Sequence, residues 1–172
     1  MENNLSFSKI VTTPTFNSWS QAYNAGKLFA VLSLEKTQEE NQDPESLSLR
    51  GRNLLEKLEQ EFFTIEKKDL ESIKQAIANT FAEIKEDISL SFAAGAFIDH
   101  VLYLFALGKG KAFIKRGDNF GVVLDSTSDS KEITSSSGFL KEADFIVLAT
   151  GAFSQEVTDE DLNANLNDTS PS

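Results

Sequence analysis

Gly138-Phe139-Leu140-Lys141-Glu142-Ala143-Asp144 leads into Phe145-Ile146-Val147-Leu148-Ala149-Thr150-Gly151-Ala152-Phe153, and this is the most informative stretch of the chain. An acidic turn opens onto a short, unbroken apolar run rich in β-branched residues, which predicts a buried strand over Phe145–Thr150. The preceding segment, Asp125 to Ser137, is crowded with Ser, Thr, Asp and Lys. It reads as a loop with one strand turn near Ile133.

Further upstream the texture repeats. Ile88–Phe97, His100–Leu107, Lys111–Lys115 and Phe120–Leu124 are short apolar runs separated by turn residues. They read as strands, with Gly108-Lys109-Gly110 and Gly117-Asp118-Asn119 as hairpin turns. Before them lie two helical patterns. Leu47, Leu54, Leu55, Leu58 and Phe62 recur at three- and four-residue spacing within Pro44–Thr64, where Asp43 is the expected cap and Pro44 the first-turn residue. Leu70, Ile73, Ile77, Phe81 and Ile84 do the same within Lys68–Asp87. Nearest the N-terminus, Leu5–Val11 and Lys27–Leu34 read as strands, with a polar loop over Thr12–Gly26 between them.

Strands, two helices, then a run of antiparallel strands define an α+β class, expected as two packed antiparallel β-sheets flanked by helices. The expected domain is 1–155, followed by an acidic, Asn-rich, flexible tail at 156–172. In a chain of 172 residues, fourteen Phe imply one core built on large apolar rings. The net charge of −11 opposes the clustered Lys and Arg that phosphate backbones require, so nucleic acid is not an expected partner. The absence of Cys removes thiolate catalysis and thiolate metal sites and fits a cytoplasmic protein. No run approaches the roughly 20 apolar residues of a membrane helix, so no membrane partner is expected from this segment.

Three segments in order carry a resemblance. Leu28-Phe29-Ala30-Val31-Leu32-Ser33-Leu34 is similar to an apolar strand that ends Asp-Gly in the PPM (type 2C) metal-dependent Ser/Thr phosphatases. Leu102 to Ala112, containing Leu107-Gly108-Lys109-Gly110-Lys111, resembles that family's Gly-Asp-Ser-Arg-Ala strand and turn. Gly138 to Phe153 resembles its loop and strand ending Ala-Thr-Asp-Gly-Phe. The resemblance covers about Leu5 to Gln155 and implies a PPM-like sandwich with a manganese or magnesium pair at one end. The family continues with a further helix and a closing strand bearing a late Asp-Asn pair; this chain stops soon after the third segment, so either this branch has shed both or the sequence is a fragment of a longer protein.

In such enzymes carboxylates hold two cations that activate a bridging water against phosphorus. At the matching places this chain has Ser33, Lys109 and Gly151, and less securely Trp19 within Asn17-Ser18-Trp19. The resemblance therefore implies degenerate metal-ligand positions, no catalytic residue, no metal and no cofactor. Lys109 and Lys111, with Lys115 and Arg116 nearby, form a candidate anion-binding group; Gly-Lys-Gly-Lys also reads as a solvated hairpin tip. His100, the single histidine, reads as structural. Asp159-Glu160-Asp161 lacks the Gly and bidentate Glu of a calcium loop and reads as solvated tail. The leading expectation is a noncatalytic pseudophosphatase that binds a protein partner or a phosphorylated segment. An active metal-dependent Ser/Thr phosphatase with unrecognised ligands or a longer parent chain, and a structural fold remnant in a larger protein, remain alternatives.

Overall fold

A computed structural model describes residues 5–11, 13–15, 17–37, 46–127 and 131–166. The elements are β1 (Ser18–Asn24), β2 (Leu28–Lys36), α1 (Leu47–Phe63), α2 (Leu70–Phe81), β3 (Ile88–Ile98), β4 (Val101–Leu107), β5 (Lys111–Arg116), β6 (Asn119–Asp125), β7 (Thr134–Phe139), β8 (Phe145–Ala149), α3 (Gly151–Glu156) and α4 (Asp159–Asn165). A five-stranded sheet of order β1-β2-β3-β4-β7 faces a three-stranded sheet of order β6-β5-β8. All the pairings are antiparallel. The α+β class and the two-sheet architecture are as the sequence implied.

Alternation along β3 explains the layering. Phe92, Ala94 and Ala96 point to one face, where they join Leu32, Leu34, Phe105 and the apolar stripes of α1 and α2 in the main core. Ser91, Ala93 and Gly95 point to the other. That face meets the second sheet: a Cβ at Gly95 would sit in ordinary van der Waals contact with Leu102 and Leu104 of the neighbouring β4, at 3.5 Å, and with Leu148 of β8, at 3.9 Å. A smaller core of Leu102, Leu104, Ala106, Ala112 and Leu124 fills the space between the sheets. On the far side of the second sheet, Lys115 Nζ donates to the Asn163 carbonyl at 3.1 Å and ties α4 down.

The helices differ from the sequence reading at their ends. The Ser46 hydroxyl accepts from the Leu49 amide and caps α1, whereas Asp43 and Pro44 lie outside the described residues. Asp69 caps α2, which stops at Phe81, well short of Asp87, because the chain must turn to begin β3. There the Ile88 amide donates to the Lys85 carbonyl, and Ile84 still packs on the main core from the turn.

Several strand assignments need correction. Leu5–Val11 belongs to neither sheet, and the first strand is β1, inside the stretch expected to be a loop. Burial of Trp19 beneath α1 outweighs the polar composition of Ser18–Asn24. Likewise β7, also read as loop, pairs with β4 despite Ser135-Ser136-Ser137. Asp99 and His100, at φ 49° and 71°, form the two-residue turn between β3 and β4, so His100 does not start a strand. Gly108-Lys109-Gly110 is no hairpin tip, since it carries the chain from one sheet to the other. Helix α3 ends at Glu156, beside the expected start of the tail. The described part of the tail also forms α4, where Thr158 caps a first turn carrying Asp159, Glu160 and Asp161, whose charges suit a helix N-terminus.

Candidate functional site

Three of the positions singled out in the sequence come together around a residue that was not. Ser33 lies directly opposite Ser91 in the β2–β3 ladder, and both are buried. Ser91 Oγ accepts the Gly151 amide at 2.7 Å, at the turn where β8 passes into α3. A Cβ at Gly151 would lie 2.9 Å from Lys109 Cβ and 3.5 Å from Ser91 Oγ. Strand β2, the β4–β5 crossing and the end of β8 thus converge at one end of the sandwich.

Local chemistry explains the convergence. Gly108, at φ 59°, and Gly110 sit so close to the Leu90 and Phe92 carbonyls of β3 that a Cβ at either would collide with the backbone. The crossing therefore lies flat on β3, one residue to each side of Ser91. Lys109 between them takes φ 69° and is exposed. Thr150 caps α3, with its hydroxyl 3.4 Å from the Phe153 amide.

Trp19 is not part of this junction. Its ladder partner is Leu34, one residue beyond Ser33, so strand alternation sends the indole to the helix face of the sheet. The other basic residues are engaged elsewhere. Lys111 Nζ lies 3.9 Å from Asp125 Oδ2. Arg116 Nε donates to Asp144 Oδ1 at 2.8 Å, and its Nη2 donates to both Asp144 Oδ2 and the Phe139 carbonyl. Hydrogen bonds from Arg116, and then from the Lys141 amide, hold the Asp144 carboxyl below its ordinary pKa against the opposing effect of burial.

Ser91 escaped the sequence reading because nothing in Ile88-Ser89-Leu90-Ser91-Phe92 marks one serine over another. Only the register of β3 against β2 and the approach of β8 distinguish it. The donor set at the junction is two hydroxyls, a glycine amide and a lysine side chain. It does not fit a pair of divalent cations, which take several carboxylate oxygens. Among the described residues no three His, Cys, Asp or Glu side chains form a group able to hold a metal ion.

No family model matches the sequence. No curated protein matches it either. Solved structures do match in shape. The Mycobacterium tuberculosis serine/threonine phosphatase PstP/Ppp superposes with a TM-score of 0.67 at 12% identity, over 94% of this chain and 83% of that one. The catalytic domain of PstP in complex with two manganese ions gives 0.66 at 12% identity, over 90% and 80%. The PPM Ser-Thr phosphatase MsPP from Mycobacterium smegmatis gives 0.57 at 10% identity, over 86% and 82%. The chain has the fold of the PPM-type serine/threonine phosphatases. At such identities the likeness is one of fold.

Proposed function

We propose that this chain is a noncatalytic PPM-fold protein, a pseudophosphatase that acts as a protein-binding or regulatory module. The reading rests on the Ser91–Gly151 hydrogen bond. At the place where the resemblance calls for a metal-ligating aspartate, the chain has a glycine whose amide is bonded to a buried serine and whose side-chain position is closed off by Lys109. Ser33 offers a hydroxyl and Lys109 an ammonium where the family would use carboxylates. Two close dications repel each other strongly and stay together only when several carboxylates neutralise them. With no cofactor assigned, the chain's contribution is its surface. The expected partner is a protein or a phosphorylated segment in the cytoplasm, not nucleic acid.

An active metal-dependent Ser/Thr phosphatase remains the second reading, favoured by the fold it shares with a two-manganese catalytic domain. Manganese titration calorimetry, with hydrolysis of a phosphoserine peptide and a small aryl phosphate, separates the two. The pseudophosphatase reading expects no saturable manganese binding and no metal-dependent turnover. Turnover that a chelator abolishes and that survives repurification overturns it.

A further inference from the structure

Among the described residues four strands end the two sheets, and they differ in sequence. Edges β1 (Ser-Trp-Ser-Gln-Ala-Tyr-Asn) and β7 (Thr-Ser-Ser-Ser-Gly-Phe) are largely polar. Edge β6 is bulged against β5 and carries Asn119 and Asp125 at its ends. Edge β8 is Phe145-Ile146-Val147-Leu148-Ala149, with no charge and no proline, and among the described residues it pairs only with β5. Exposed backbone on an apolar strand is a template for another strand, and soluble proteins ordinarily blunt it with charge, proline or a bulge. Among the described residues β8 has no charge, proline or bulge of this kind.

The same chain carries a strand-like segment that belongs to no sheet. Leu5-Ser6-Phe7-Ser8-Lys9-Ile10-Val11 begins in strand alternation and ends β-branched. Its Leu5 is 51% exposed, Phe7 44%, Ile10 81% and Val11 42%. Phe7 stacks on Phe29 of β2 with ring centroids 5.8 Å apart. Charge also complements: this segment bears only Lys9, whereas residues 139–166 around β8 hold six carboxylates against one lysine, and among the described residues only Asp144 of the six is paired, with Arg116 of β5.

We infer that the free edge of β8 binds the Leu5–Val11 segment of a second copy of this chain as a fourth strand, by reciprocal exchange in a two-fold dimer. Reciprocity closes the contact, so that each copy donates one segment and protects one edge. The inference is independent of the pseudophosphatase reading, since no residue of the Ser91 junction takes part.

Sedimentation velocity across a concentration series tests it first. The unmodified chain should show a dimer whose fraction rises with concentration, and Phe7→Asp with Ile10→Asp should weaken association about tenfold or more. Ile10 is exposed and makes Ile10→Asp alone the variant whose fold should survive untouched, whereas Phe7→Asp also removes the stack on Phe29. Because the chain has no Cys, engineered thiols report cleanly. Val11→Cys and Phe145→Cys chains, mixed and treated with a short bis-maleimide, should give a crosslinked heterodimer. A chain that stays monomeric at every concentration overturns the proposal. So does a dimer indifferent to the Phe7 and Ile10 changes, or crosslinking confined to a single chain bearing both thiols.

Discussion

Gly151 faces Lys109 so closely that a Cβ on the glycine would lie 2.9 Å from the Cβ of the lysine. A carboxylate at 151 therefore requires Lys109 to move. That coupling turns two unremarkable residues into a pair that can be tested together.

Gly151→Asp should destabilise the chain by about 1–3 kcal/mol, the usual cost of overpacking. Lys109→Gly removes the opposing Cβ and relaxes the φ of 69°, which glycine accepts and lysine adopts at a cost. The two together should cost less than the sum of each alone. Urea denaturation in a double-mutant cycle measures the difference, and strict additivity would contradict the contact.

Ser91→Ala leaves the buried Gly151 amide without its acceptor. A loss of about 1–3 kcal/mol is expected, as for other buried donors left unsatisfied. Ser89→Ala, at an exposed position two residues away on the same strand, should cost far less. Thermal unfolding of the two variants makes the comparison.

Gly51 lies against the Trp19 indole, so that a Cβ there would collide with three ring carbons, Cζ3, Cε3 and Cη2. Gly51→Ala should cost about 1–3 kcal/mol through overpacking, although alanine is the better helix former by roughly 1 kcal/mol. Tryptophan fluorescence reports directly on this site, because Trp19 is the single tryptophan. A variant of unchanged stability and emission would mean that the helix does not sit on the ring.

Asp144 supplies the pH dependence. Its carboxyl is held low by hydrogen bonds from Arg116 and the Lys141 amide, so the folded chain favours its ionised form. A depressed folded pKa gives a contribution that is whole above the unfolded value of about 3.9 and is lost as the pH falls through the folded value. Asp144→Asn should therefore be less stable than the unmodified chain at neutral pH, with the gap narrowing only in acid. A gap that instead closes between pH 6 and 8 would point to another group.

Much of this protein was legible in one dimension. The helical stripes of α1 and α2, the apolar runs of β2, β3, β4, β5 and β8, and the antiparallel order of the second half follow from periodicity. Periodicity works there because each element buries one defined face. It failed at β1, where one tryptophan under a helix outweighs a polar composition, and at β7, where pairing with β4 overrides three serines. It failed in the other direction at Leu5–Val11, whose alternation is strand-like but which takes no place in either sheet. The juxtaposition of Ser33, Lys109 and Gly151 was anticipated only through resemblance, since the residues lie far apart in the chain and share no chemistry. Ser91, which binds the Gly151 amide, and the exclusion of Trp19 from the junction were decided by the tertiary structure alone. Strand register and alternation determine which face a side chain meets, and both depend on partners that the local sequence does not name.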